Sequence, residues 1–226
     1  MKDKTLNILK SIGIILLLLL FSSFFFVILN IDPNNISDKK YIIYLTISNI
    51  ILLSLFIFIY RKTLKKDLKN FFKNFGESME ISIKYWLIGF LIMIASNLFI
   101  TYILNKTIAG NEEEIRSYIN IMPLIMIFNT VIFAPITEEL AFRKSIKDVT
   151  NNKWIYILTS GLIFGFLHII SYINNVSDLV YLIPYGALGI TFALLYYKTN
   201  NIFSTIMMHA IHNSLAVIVY LIGVFL

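Results

Sequence analysis

Residues 11–31 read SIGIILLLLLFSSFFFVILNI, a stretch with no charged residue. A helix rises 1.5 Å per residue, so about 20 such residues cross the ~30 Å hydrocarbon core of a bilayer. The stretch therefore reads as a membrane-spanning helix. Lys2, Lys4 and Lys10 give it the basic start of a signal peptide. Its apolar part is too long for a signal h-region, however, and no small-x-small cleavage site follows. It is expected to be an uncleaved anchor.

Six more runs of this kind follow: Tyr41–Tyr60, Tyr85–Leu104, Ile119–Phe142, Trp154–Ile173, Leu179–Tyr197 and Ile202–Leu226. With Ser11–Ile31 they make seven. Composition agrees, with 58% hydrophobic and 14% charged residues against ~45–50% and ~25% in soluble domains. That balance excludes intrinsic disorder and argues against a soluble fold. Backbone polar groups in lipid must pair internally, and no strand-like alternation is present, so the spans are helices rather than a barrel. The expected fold is all-α, a polytopic transmembrane bundle of about seven helices. No cysteine is present among the 226 residues, which excludes disulfides, thiolate metal sites and a cysteine nucleophile.

Loop charge sets the expected orientation. The segment 61–84 carries Arg61, Lys62, Lys65, Lys66, Lys69, Lys73 and Lys84, whereas 105–118 carries Glu112, Glu113 and Glu114 against Lys106 and Arg116. The positive-inside rule places the first in the cytoplasm with the N-terminus, and the second outside. The +6 net charge is mostly this topology signal; no basic patch suggests nucleic acid. Leu64, Leu68, Phe71, Phe72 and Phe75 alternate with lysines, the pattern of an interfacial amphipathic helix, expected over 62–80. The Ile-, Asn- and Lys-rich composition hints at an A+T-rich bacterial genome, hence a bacterial plasma membrane.

Ionisable groups inside spans are costly and mark functional interiors. The first three spans have none in their apolar cores. Glu138 and Glu139 lie in the fourth run, His168 in the fifth, and His209, His212 and Asn213 in the seventh. The chain divides accordingly into an apolar half, 1–118, with helices and the amphipathic segment, and a polar-cored half, 119–226. Glu139 and Arg143 stand four apart on one helical face and can pair. Glu138 is about 100° round the helix and is free to face the bundle centre. Phe164 lies one turn from His168, and Gly165 permits close helix approach. His209 and Asn213 share a face; His212 is expected to be interfacial or supporting.

Singly, each residue has a plain alternative: Glu138 and Glu139 as interfacial groups, His168, His209 and Asn213 as interhelical hydrogen-bonding residues. Together they are a set whose chemistry permits hydrolysis. A carboxylate in a low-dielectric site is a strengthened base toward water, an imidazole can share that water, and a second imidazole with an amide can stabilise an oxyanion. Glu138, His168 and His209 also make a familiar zinc ligand set, although the HExxH signature is absent. Proton relays use similar residues, but no internal pseudo-symmetry suggests a transporter.

The ordered motifs EExxxR (Glu138–Arg143), FxxxH (Phe164–His168) and HxxxN (His209–Asn213) resemble the CPBP family, the type II CAAX prenyl proteases and bacteriocin-processing enzymes also called Abi proteins. The likeness covers roughly residues 119–217 and departs at no motif residue. It implies an intramembrane endopeptidase acting on a peptide or membrane-anchored protein, such as a leader peptide, a bacteriocin or a CAAX-like substrate. By motif position, Glu138 would be the general base with His168 sharing its water. His209 and Asn213 would stabilise the oxyanion, while Glu139, Arg143 and Phe164 support the site. The family has been discussed as both glutamate-type and metal-dependent, so zinc on Glu138, His168 and His209 is the alternative to a metal-free site. A non-catalytic immunity or scaffold protein on the same fold is the alternative function. Because Glu138 and Arg143 lie toward the cytoplasmic end of their run, the site is expected to open there. His168, ~21 Å along its helix from Trp154, then meets Glu138 only if the fourth helix extends past Arg143 or the fifth tilts.

Overall fold

The structure, a computed structural model, describes residues 2–225, with side chains from Thr5 to Val224. The principal helices are α1 (Lys2–Ile28), α2 (Asp38–Lys73), α3 (Phe75–Tyr102), α4 (Gly110–Ile121), α5 (Pro123–Lys147), α6 (Lys153–Ile169), α7 (Leu182–Thr199) and α8 (Ile202–Phe225). No strand occurs among the described residues. All but α4 are long and apolar enough to cross a membrane. Their outward residues, such as Phe24, Phe58, Leu91 and Ile218, are exposed and apolar, as a lipid-facing surface requires. The seventh run ends at Leu226, which lies outside the described residues.

Two boundaries differ from the sequence reading. The segment 62–80 is not a separate surface helix. Residues 62–73 continue α2, because no Gly or Pro interrupts them, and the break falls at Asn74, whose backbone leaves the helical region (φ −120°, ψ 43°). The fourth span starts at Pro123 instead of Ile119, because 110–121 forms its own helix ending at Met122. It also continues past Phe142 to Lys147.

The end of α2 is pinned by docking. The Asp67 carboxylate accepts a hydrogen bond from the Ile202 backbone N–H (2.9 Å), and Asn201 Nδ2 donates to the Asp67 carbonyl (2.9 Å). A side chain of one helix thus caps a free N–H at the start of another. Phe71, fully buried, packs edge-on against Phe203 (5.2 Å between centroids). Asp67→Ala should therefore lower stability by about 1–2 kcal/mol, read by denaturant unfolding in detergent micelles; a change near zero would remove the cap from this account.

Contacts at each end fix the sense of the bundle. One end holds the Asn74 break and the segments 148–152 and 200–201: Lys147 Nζ donates to Asn200 Oδ1 (2.8 Å) and Asn7 Nδ2 to the Asp148 carbonyl (3.2 Å). The other end holds 103–110 and 170–181, joined by Lys106–Asp178 (2.7 Å) and by Tyr181 Oη donating to the Thr107 carbonyl (2.7 Å).

α6 and α7 approach at backbone distance. A Cβ on Gly189 would lie 2.5 Å from the Gly161 carbonyl oxygen, and one on Gly165 would lie 2.8 Å from the Gly186 nitrogen. Small residues here let two membrane helices close on each other, as expected for Gly165. α5 is fastened to α2 by amides: Asn49 Nδ2 donates to Asn129 Oδ1 (3.1 Å) and Asn129 Nδ2 to Thr46 Oγ1 (2.7 Å). Within α5 the turns Phe128–Phe133 and Glu139–Lys144 are π-helical. Pro135 lies between them and lacks an N–H. The Thr137 hydroxyl donates to the Phe133 carbonyl (2.8 Å), supplying a donor where the ladder loosens. Wide turns of this kind commonly occur at functional sites.

Candidate active site

The second π turn brings Glu138, Glu139 and Arg143 against α6 and α8. Glu139 and Arg143 form the expected pair, Nε to Oε2 at 3.1 Å, with neither side chain exposed. The other Glu139 oxygen accepts from His209 Nδ1 (3.0 Å). Arg143 lies over the Phe164 ring (4.5 Å to the centroid), and its Nη1 reaches Ser160 Oγ (3.4 Å). The Ser160 hydroxyl in turn donates to the Phe142 carbonyl (2.7 Å). A buried charge is tolerable only when compensated; Glu139 is hydrogen-bonded through Oε1 and ion-paired with Arg143 through Oε2, although Oε2 and Arg143 Nε and Nη2 make no regular hydrogen bond.

Glu138 is held differently. Its Oε2 is buried and has no hydrogen-bond partner. It stands 3.8 Å from His168 Nε2 and 3.9 Å from His209 Nε2. Both rings are oriented from behind. His168 Nδ1 lies 2.8 Å from the Phe164 carbonyl; a carbonyl only accepts, so Nδ1 carries the proton and Nε2 presents a lone pair. His209 Nδ1 donates to Glu139 in the same way. Phe164 sits between the two rings, 4.3 Å from His168 and 5.8 Å from His209 by centroids. Tyr185 stacks on the outer face of His168 (5.1 Å), and Phe192 lies against His209 (5.4 Å).

The structure thus gathers Glu138, Glu139, Arg143, Phe164, His168 and His209. The extension of α5 past Arg143 lets His168 reach Glu138, one of the two routes the sequence allowed. Asn213 lies one turn beyond His209, where its Nδ2 donates to the Thr130 carbonyl (2.8 Å). No hydrogen bond or ion pair joins it to Glu138 or either histidine among the described residues. His212 stands apart, accepting from Trp86 Nε1 at 3.4 Å. Sequence reading missed Ser160, Tyr185 and Thr130. Ser160 had a faint signal, as a small polar residue next to Gly161; Tyr185 and Thr130 had none, since only tertiary packing brings them to the site.

One cavity adjoins the site. Arg143 is fully buried and reaches no surface. His168 instead lines a cavity of about 510 Å³ bounded also by Thr107, Gly110, Glu113, Glu114 and Tyr172. This cavity lies at the end of the bundle opposite the Lys-rich 61–84 segment. Residues of α4 and of 170–181 line it.

The same residues include the donor set that zinc would use. Both imidazoles present Nε2 with Nδ1 held, an orientation metal sites use. Tetrahedral zinc with bonds of ~2.0–2.1 Å sets donors about 3.3 Å apart, closer than the 3.8 and 3.9 Å found. Among the described residues no group of three His, Asp or Glu is disposed to hold a metal ion. No step below is routed through a metal ion.

A helical membrane bundle enclosing a carboxylate between two oriented imidazoles defines a class: a polytopic membrane protein with a buried carboxylate–imidazole site. Residues 120–215 match the family described as Type II CAAX prenyl endopeptidase Rce1-like. The chain is 32% identical over 184 residues to "Putative membrane peptidase YdiL" of Bacillus subtilis, covering 77% of this chain and 70% of that protein. It is 27% identical over 187 residues to an uncharacterized protein of Mycoplasma capricolum, covering 78% of this chain and 54% of that one. It is also 25% identical over 147 residues to the UPF0177 protein YxdF of Lactococcus lactis, covering 62% and 79%. No solved structure matches it. The chain belongs to the Rce1-like, or CPBP, family of intramembrane proteases.

Proposed function

We propose that this protein is an intramembrane endopeptidase of the glutamate type, with Glu138 as general base. The observation that carries the reading is the Glu138 carboxylate, buried without a hydrogen-bond partner and facing two imidazoles whose far nitrogens are fixed. With both glutamates ionised, Arg143 and a protonated His209 balance them. Glu138 and the His168 Nε2 lone pair are then two acceptors suited to one water, which donates a hydrogen to each. The water oxygen attacks the scissile carbonyl carbon as its proton passes to Glu138. His209 Nε2–H and the second amide hydrogen of Asn213 donate to the developing oxyanion. The C–N bond then breaks, and the proton on Glu138 passes to the leaving amine.

Substrates by this reading are peptides or membrane-anchored segments, with a leader peptide, a bacteriocin or a CAAX-like end as candidates. The membrane is proposed to be a bacterial plasma membrane, with the N-terminus cytoplasmic. The direct test is digestion of a pool of lipidated and leader-type peptides by the purified protein in detergent, run in H₂¹⁸O and read by mass spectrometry. The expected result is cleavage with one ¹⁸O in the new carboxylate, insensitive to a chelator. Chelator-sensitive cleavage would replace the metal-free mechanism, and no cleavage by folded protein would move the reading to a non-catalytic immunity or scaffold role.

A further inference from the structure

The cavity that His168 lines has two properties that bear on the substrate. First, it lies at the end of the bundle holding 103–110 and 170–181, whereas Arg61, Lys62, Lys65, Lys66, Lys69 and Lys73 lie at the other end. The positive-inside rule puts the Lys-rich end in the cytoplasm and the cavity on the opposite side. Second, its charge is unbalanced. Asp178 is paired with Lys106 (2.7 Å), and Glu112, just outside, with Arg116 (2.8 Å). Glu113 and Glu114 line the wall with no cationic partner among the described residues, Glu114 accepting from the Tyr172 and Tyr118 hydroxyls. The same wall carries His168, 3.8 Å from Glu138, so the acidic mouth and the reacting groups share a side chain.

We infer that this cavity is the substrate's way in, that it opens on the extracytoplasmic face, and that it takes a peptide segment bearing Lys or Arg. The inference rests on the endopeptidase reading above and adds to it a side of the membrane and a substrate charge. Acidic walls at a confined mouth concentrate cations there, and Glu113 and Glu114 are left to pair with an incoming positive charge.

The absence of native cysteine makes the side testable without any activity. Glu113→Cys should react with a membrane-impermeant maleimide in intact cells, and Lys62→Cys only after lysis. The reverse pattern overturns the inference and leaves the endopeptidase reading standing. In proteoliposomes whose orientation is set by that labelling, impermeant peptides should be cleaved only from the Glu113 side; cleavage only from the Lys62 side would refute the route. Absence of cleavage from both sides and in detergent would refute the endopeptidase reading, and the inference with it. For charge, the double substitution Glu113→Gln with Glu114→Gln should lower the kcat/KM ratio of a Lys/Arg peptide over its neutral counterpart about five- to ten-fold. Glu113→Gln alone, an exposed residue that holds nothing in place, should lower it about two- to three-fold. An unchanged ratio in both would overturn the charge preference.

Discussion

Glu138→Gln is expected to lower kcat for peptide cleavage by about 10²–10⁴-fold, the range that a positioned general base supplies. The exchange keeps the shape of the side chain and removes its capacity to take a proton. It should not unfold the protein, because Oε2 makes no hydrogen bond that would be lost. Stability should stay level or rise, since a buried carboxylate is costly to hold. Glu139→Gln makes the informative contrast. It removes the charge that Arg143 and His209 both use, so stability and activity should fall together. Cleavage near the wild-type rate by folded Glu138→Gln would sink the mechanism, whatever the fate of Glu139→Gln.

The second large effect is on stability. Arg143→Met should destabilise the protein by about 3–5 kcal/mol, the cost of leaving one partner of a buried ion pair uncompensated. Arg143 is fully enclosed, its guanidinium shared between Glu139, Ser160 and the face of Phe164. Adding Glu139→Gln removes the stranded charge, so the double variant should recover most of the loss while His209 loses its carboxylate anchor and activity stays low. Unfolding curves for the two single variants and the double variant yield the coupling directly. A loss below about 1 kcal/mol for Arg143→Met would mean that the pair is not the buried unit described here.

Much of the site was legible in the chain because its geometry is helical. Glu139 and Arg143 pair across one turn, as i,i+4 spacing dictates, and Glu138, one residue earlier, points elsewhere. Phe164 and His168 are adjacent for the same reason. Gly165 announced the close approach of two helices, which Gly186 completes from the other side. Spacing failed where the partner lies far along the chain. Nothing near residue 67 says that Asp67 will cap a helix starting at Ile202, and an alternation of lysines and apolar residues looks the same on a surface helix as on the end of a long α2. Asn213 shows the limit of a shared face: it follows His209 by one turn, yet its amide is anchored on Thr130, a residue of another helix.

The chain alone determined that this protein crosses a membrane as helices, how many long apolar runs do so, and which few ionisable groups lie among them. Hydropathy over about 20 residues and spacing within one turn are local properties, so they can be read without a fold. Only the tertiary structure decided that the Glu138 carboxylate faces both imidazoles, that the guanidinium is sealed, and that the cavity beside His168 lies at the end away from the lysines. Those outcomes depend on how far each helix extends and on what the connecting segments cover. Packing between residues tens of positions apart sets both, and no short window along the chain contains it.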